Sequence, residues 1–313
     1  PLGRSLRFTQ ARIRAIVRAI LERKYKGVCP EDYVEAVVAS FHGGELALRP
    51  PRRDHQAAPV PAPAVVSPDA RIVLVVNDRH DIHHVRERGY VEAPVRIPSI
   101  RRELDASGLF EAVDVKRHPD AAVTAVHDPA FVAYLKRVCA GLAERASVYP
   151  YVFPIRNASR PPRELAVRAG YYCIDTFTPL NANAWKAARR AADCGLTAAD
   201  ALLAGRRMAF ALVRPPGHHA ERRAFGGFCY LNTAAIAAHA LSAHGRVAIL
   251  DVDYHHGNGT QDIFWERGDV LTVSIHGHPR FAYPYFSGFA DEVGAGAGEG
   301  RNRNFPLLER VDG

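Results

Sequence analysis

Cysteine is scarce and unpaired in this sequence. Five cysteines among 313 residues (Cys29, Cys139, Cys173, Cys194 and Cys229) are odd in number, far apart and never in C-x-x-C spacing. That excludes both a disulfide framework and a thiolate zinc site, and fits a reducing, cytoplasmic compartment. Long apolar runs are lacking too: no stretch approaches the roughly 18 consecutive apolar residues of a membrane span. The N-terminus has no uninterrupted apolar segment of the signal-peptide kind. A basic surface across the whole chain is also missing. The net charge is +8, but residues 1–26 hold eight Arg/Lys against the single acid Glu22. The remainder is close to balanced, so no specific nucleic-acid binding is expected.

What is present is a chain with 48% apolar and 24% charged residues, the balance of a globular protein. Ile13, Ile16, Val17, Ile20 and Leu21 recur at the spacing of one helical face, with arginines opposite, which predicts a basic amphipathic helix. Docking on the domain or on another subunit is the plain reading of that helix; organelle targeting and binding to a membrane or an acidic partner are the others. A second short helix is expected at 31–41. Pro50, Pro51, Pro59, Pro61, Pro63 and Pro68 cannot sustain a helix. The expected organisation is a helical extension over 1–48, a Pro/Ala-rich linker over 49–69 and a main domain over 70–313.

Within the main domain, apolar runs at 72–76, 208–213, 247–252 and 270–275 read as strands buried on both faces, because they are continuous rather than alternating. Helical patterns at 131–142, 185–203, 231–243 and 258–267 fall between them. The expected fold is therefore α/β, a mostly parallel sheet with helices on both faces, with reactive groups gathered where strands end at their carboxyl edge.

Three of those strand ends are polar. The first leads into Arg214-Pro215-Pro216-Gly217-His218-His219-Ala220, the second into Asp251-Val252-Asp253-Tyr254-His255-His256-Gly257-Asn258-Gly259, and the third into Ser274-Ile275-His276-Gly277. If the second strand stays extended, Asp251, Asp253 and His255 share one side. A carboxylate and an imidazole converging at a sheet rim make half a zinc site, and Zn²⁺ or Fe²⁺ suits that ligation. The competing reading is a set of structural hydrogen bonds capping a helix at Asn258. The cluster of Asp251, Asp253, His255 and His256 between a buried strand and a Gly-rich turn favours a site. The adjacent imidazoles of His218 and His219 could supply the base and the acid that amide hydrolysis needs.

R-P-P-G-H-H-A, G-G-F-C-Y-L-N, D-V-D-Y-H-H-G-N-G-T-Q and T-V-S-I-H-G, in this order, resemble the zinc-dependent deacetylases of the arginase/deacetylase fold. They look more like the bacterial acetylpolyamine amidohydrolase branch than the histone deacetylases proper. G-Y-Y-C-I-D-T at 170–176, Y-P-Y-V-F-P at 149–154 and Y-P-Y-F-S-G-F-A-D-E at 283–292 support that branch. The resemblance spans residues 71–308 and implies a three-layer α/β/α architecture and removal of acetyl groups from a small N-acetylated amine. It makes Asp253 and His255 zinc ligands, His219 the general base and acid, and His218 its electrostatic neighbour. Asp251 and Asn258 would orient His218 and His219 respectively. It also implies a structural potassium ion held by oxygens of Asp251, Asp253, His255, Ser274 and Ile275. Gly227 and Phe228 would wall the substrate channel with Tyr283 opposite, and Arg96 would line an inner acetate channel. A homodimer that narrows the channel fits the same resemblance.

The pattern breaks after that. In the family a third zinc ligand, an Asp on a later strand, and a Tyr in a Gly-Gly-Tyr turn follow many tens of residues beyond the His ligand. The chain runs only 58 residues past His255 and contains neither. The domain is accordingly expected to be C-terminally incomplete. That leaves open a piece of an active amidohydrolase, a non-catalytic binding or regulatory remnant, and a histone-type protein deacetylase.

Overall fold

The computed structural model describes residues 10–25, 31–39, 66–85, 90–151 and 161–309. The chain divides into two compact units, Pro1–Ala62 and Pro63–Gly313. The first contains α1 (Gln10–Tyr25) and α2 (Glu31–Ala39), joined by a two-pronged ion pair between Arg18 and Glu35. Both partners are exposed, so the pair orients the helices more than it stabilises them. The expected linker at 49–69 lies outside the described residues as far as residue 65.

The second unit begins with β1 (Ile72–Val76), whose IVLVV sequence suits a strand because β-branched side chains pack well on a pleated surface. It continues through α3 (Arg96–Ser107), β2 (Phe110–Val113), α4 (Asp120–Thr124), α5 (Pro129–Gly141), β3 (Ser147–Val148), α6 (Leu165–Arg168), β4 (Leu180–Asn181) and α7 (Ala184–Leu203). It ends with β5 (Ala209–Leu212), α8 (Thr233–Ser242), β6 (Val247–Asp251), α9 (Asn258–Phe264), β7 (Val270–Gly277) and β8 (Asn302–Leu307). Local chemistry sets several starts. Asp128 caps α5 by accepting from the N–H groups of Ala130 and Phe131, with Pro129 at the first helical position. Asn232 caps α8 by accepting from the N–H of Ala235.

All four expected strands form, and the main pairings are parallel, in the orders β2-β1-β5 and β6-β7-β8. A short antiparallel pair joins β3 to β4. Helices pack against these strands: α7 and α8 lie on each other, α7 covers β1 and β5, and α8 covers β6. The α7–α8 crossing is close because α7 presents a stripe of buried alanines and Gly195, where a Cβ would stand 2.6 Å from Thr233 Cγ2.

The structure departs from the expected single sheet of fully buried strands. Val73, Leu74 and Val75 of β1 are buried in succession, as a central parallel strand requires. The runs at 208–213 and 247–252 are not: Phe210 is 40% and Leu250 61% exposed. β5 and β6 are each the edge of a three-stranded half. They face a cavity of about 470 Å³ lined by Ala209, Ala211 and Val213 on one side and Ile249, Leu250 and Asp251 on the other. The helix expected at 258–267 stops at Phe264.

Candidate active site

The carboxyl ends of β5 and β6 meet through two His–acceptor pairs. The loop after β5 turns at a cis Arg214–Pro215 peptide and is anchored by the buried Arg214, whose Nε donates to Glu92 Oε1 at 2.7 Å and whose Nη1 donates to the carbonyls of His80 and His83. It delivers His218 and His219 side by side, ring centroids 4.0 Å apart. His218 Nδ1 lies 2.8 Å from Asp251 Oδ2, and His219 Nδ1 lies 2.8 Å from Asn258 Oδ1. The amide oxygen of Asn258 can only accept, so His219 carries its proton on Nδ1 and leaves Nε2 as a free base. The start of α9 fixes the loop from the other side: the N–H groups of Gly259 and Thr260 both donate to the carbonyl of His218. Only glycine fits at 259, where a Cβ would stand 2.3 Å from the carbonyl oxygen of Ala220.

Burial and the neighbouring His218 hold His219 well below the ordinary histidine pKa. A neutral imidazole at working pH is the form a general base needs.

The premise of a strand extended through His255 does not hold. β6 stops at Asp251, and residues 252–257 bend. Successive turns take over, with Asp253 N–H donating to Asp251 Oδ1 and His255 N–H donating to Asp253 Oδ1. The same residues still converge: His255 Nδ1 is 3.2 Å from Asp253 Oδ1, which in turn is 4.0 Å from His218 Nε2. The hydrogen bond from His255 outweighs burial and keeps the Asp253 carboxyl well below its usual range.

An oxygen and an imidazole nitrogen 3.2 Å apart suit two adjacent vertices of a tetrahedral zinc or iron centre. Two donors do not complete one, and among the described residues no group of three or more His, Cys, Asp and Glu is arranged to hold a metal ion. The donor set fits such a metal in kind and falls short in number.

Across the β6–β7 register Asp251 stands beside Ser274. His276 Nε2 donates to the carbonyl of Gly288, so its Nδ1 accepts from the Ser274 hydroxyl, which in turn accepts from His256 Nδ1. Ile275 follows on the partly exposed face of β7. Arg96 opens α3, is exposed, and lines the cavity between β5 and β6 with His218, Asp251 and Asp253.

Gly227 and Phe228 both take positive φ, 54° and 67°. They are held by residues the sequence reading had not singled out. The buried carboxylate of Asp175 accepts from the N–H groups of Phe177 and Thr178 on Oδ1. Its Oδ2 accepts from the Thr178 hydroxyl, the Gly227 N–H and the Tyr283 hydroxyl at 2.9, 2.5 and 3.0 Å. Thr178 Oγ1 accepts from the N–H of Phe228. Phe177 meets both Phe228 and Tyr283 edge-on at 5.7 and 5.5 Å, so these two rings join through a third, and Tyr90 meets Phe228 edge-on at 5.0 Å. Tyr283 meets His219 edge-to-face at 4.8 Å. Burial and the Asp175 carboxylate keep its phenol protonated. The polar residue inside G-Y-Y-C-I-D-T was the available signal for Asp175. Glu221, directly after H-H-A, was the signal for the carboxylate that accepts from the Asn258 amide at 2.8 Å.

A parallel α/β fold thus brings paired histidines and an Asp/His donor pair together at its strand ends. The histone deacetylase domain model matches residues 90–313, and the chain belongs to that family. It is 45% identical to acetylpolyamine amidohydrolase 1 of Pseudomonas aeruginosa, over 69% of this chain and 65% of that one, and so spans about two thirds of that relative's length. It is 41% identical to an acetylpolyamine amidohydrolase of Burkholderia pseudomallei, over 74% of this chain and 73% of the relative. A crystal structure of acetylpolyamine aminohydrolase from the same bacterium superposes with a TM-score of 0.69 at 37% identity, over 76% of this chain and 72% of that one.

Proposed function

We propose that this chain carries the proton-transfer side of an amidohydrolase that removes acetyl groups from N-acetylated amines of the acetylpolyamine or acetyl-lysine kind. The observation that carries the reading is the His219–Asn258 pair, buried beside Tyr283 with Nε2 of His219 free to act. Asp253 and His255 would hold a zinc or iron ion, and the ion when bound supplies Lewis acidity toward the acetyl carbonyl and the attacking water. His219 Nε2 takes a proton from that water and returns it to the leaving amine nitrogen. His218, paired with Asp251, stabilises the charge that appears on its neighbour. Phe228, Phe177 and Tyr283 exclude water from the alkyl chain of the substrate. Potassium held by oxygens of Asp251, Asp253, His255, Ser274 and Ile275 would brace the turn that carries the metal donors; the pairing of Asp251 with Ser274 supports this.

The test is acetate release from acetylputrescine, acetylspermidine and an acetyl-lysine peptide with Zn²⁺ or Fe²⁺ supplied. Turnover of the small amines supports the reading, and turnover of the peptide alone shifts it to a protein deacetylase. Absence of turnover by protein shown to hold the metal overturns it.

A second reading is favoured by the donor count. With two donors among the described residues, the chain could bind acetylated amines without hydrolysing them. It predicts substoichiometric zinc and ligand affinity indifferent to His219→Ala.

A further inference from the structure

We propose that Glu221 is a positioning residue whose carboxylate decides which way round the Asn258 amide sits and thereby keeps the His219 proton on Nδ1. The argument starts from the ambiguity of the pair itself. An asparagine amide has a donor end and an acceptor end, and a neutral imidazole nitrogen can take either role. If the NH₂ of Asn258 faced His219, Nδ1 would have to accept, the proton would sit on Nε2, and the base would be lost. Nothing in the two residues alone excludes that arrangement.

Glu221 does. Its Oε1 lies 2.8 Å from Asn258 Nδ2. An ionised carboxylate accepts only, so the NH₂ must face Glu221 and the amide oxygen must face His219, 2.8 Å from Nδ1. Three hydrogen bonds fix the backbone that carries this carboxylate. The Glu221 carbonyl accepts from His127 Nδ1 at 2.9 Å, its N–H donates to the carbonyl of Ala224, and the next N–H, that of Arg222, donates to Asp262 Oδ2 at 2.8 Å. His127 is held in the right tautomer for this, because its Nε2 accepts from the Asn232 N–H. Glu221 therefore acts on His219 through one amide, placing a negative charge one residue further from the ring than a directly paired carboxylate would.

The catalytic consequence rests on the amidohydrolase reading; the tautomer does not. Burial, then Asp262, push the Glu221 carboxyl up to about 7 against the pull of Asn258, so the experiment belongs at about pH 8, where Glu221 is ionised and His219 neutral. The full chain, labelled with ¹⁵N, is examined by long-range ¹H–¹⁵N correlation of its imidazoles, with the His219 signals assigned by their loss in His219→Gln. The native chain should show the Nδ1–H form alone. Glu221→Ala and the isosteric Glu221→Gln, which can present either end of its own amide, should show a mixture with the Nε2–H form, the rest of the spectrum staying native. The Gln variant carries the test by itself if the Ala variant fails to fold. Where turnover is measurable, kcat should fall in proportion to the Nδ1–H form lost, with KM unchanged. A native spectrum with His219 in the Nε2–H form, or an unchanged Nδ1–H signal in Glu221→Gln, overturns the proposal; the second result leaves the amidohydrolase reading untouched, the first counts also against His219 as its base, and acetate release decides that reading separately.

Discussion

Gly227 stands against His219 so closely that a Cβ at 227 would lie 2.1 Å from His219 Cδ2. The ring has little room to retreat, since Nδ1 is bonded to Asn258 and Tyr283 meets the ring at 4.8 Å. The positive φ of 54° adds strain to any other residue there. Gly227→Ala should therefore destabilise the fold by roughly 1–3 kcal/mol, as overpacking does, and displace His219. Chemical denaturation measures the first and the His219 imidazole signals the second. An alanine variant with native stability and native His219 shifts would contradict this close contact.

Asp175 holds three separate segments by one carboxylate. Asp175→Ala should leave the N–H of Gly227 and the hydroxyls of Tyr283 and Thr178 without their acceptor and cost on the order of 3 kcal/mol. The rings of Phe228 and Tyr283 should lose their fixed separation. Urea unfolding checks the cost, and a loss of unfolding free energy below about 0.5 kcal/mol would show that the carboxylate is dispensable.

Acid should destabilise this protein before its carboxylates titrate. Burial holds His83 and His127 down to about 4. The unfolded chain takes up those protons near the ordinary histidine value of about 6.5, so between about 6.5 and 4 the unfolded state binds more protons than the folded one. Stability is complete above that window and lost as pH falls through it, by on the order of 3 kcal/mol for each histidine. His219 acts in the same direction. Glu221 opposes it, because its raised carboxyl binds a proton in the folded state first, between about 7 and 4.5. The histidines outnumber it. Unfolding midpoints in urea should fall between pH 7 and pH 5; a midpoint that rises would show that the buried imidazoles are charged in the folded state.

How far the sequence reached depended on whether the evidence was local. The runs at 72–76 and 270–275 named β1 and β7 because short runs rich in Val and Ile have few other places to go. The His218–His219 pair was legible because it sits in a short motif at a strand end, and its partners Asp251 and Asn258 came with the family resemblance those motifs carry. The bend after Asp251 was not, since the turns depend on the Asp251 and Asp253 carboxylates accepting from the backbone N–H groups of Asp253 and His255, two residues on. The split between β5 and β6 was equally hidden, because edge and centre strands can share one composition. Asp175 and Glu221 escaped because their partners lie 108 and 37 residues away, at Tyr283 and Asn258.

The central claim is that His219 is the base of an acetyl-amine hydrolase, and the direct measurement is kcat/KM for acetylputrescine in native protein and His219→Ala, with metal content determined on both. The account predicts equal metal content and a loss of roughly 10²–10⁴ in kcat/KM for the alanine variant. Metal-loaded native protein and His219→Ala hydrolysing acetylputrescine at the same rate would contradict it.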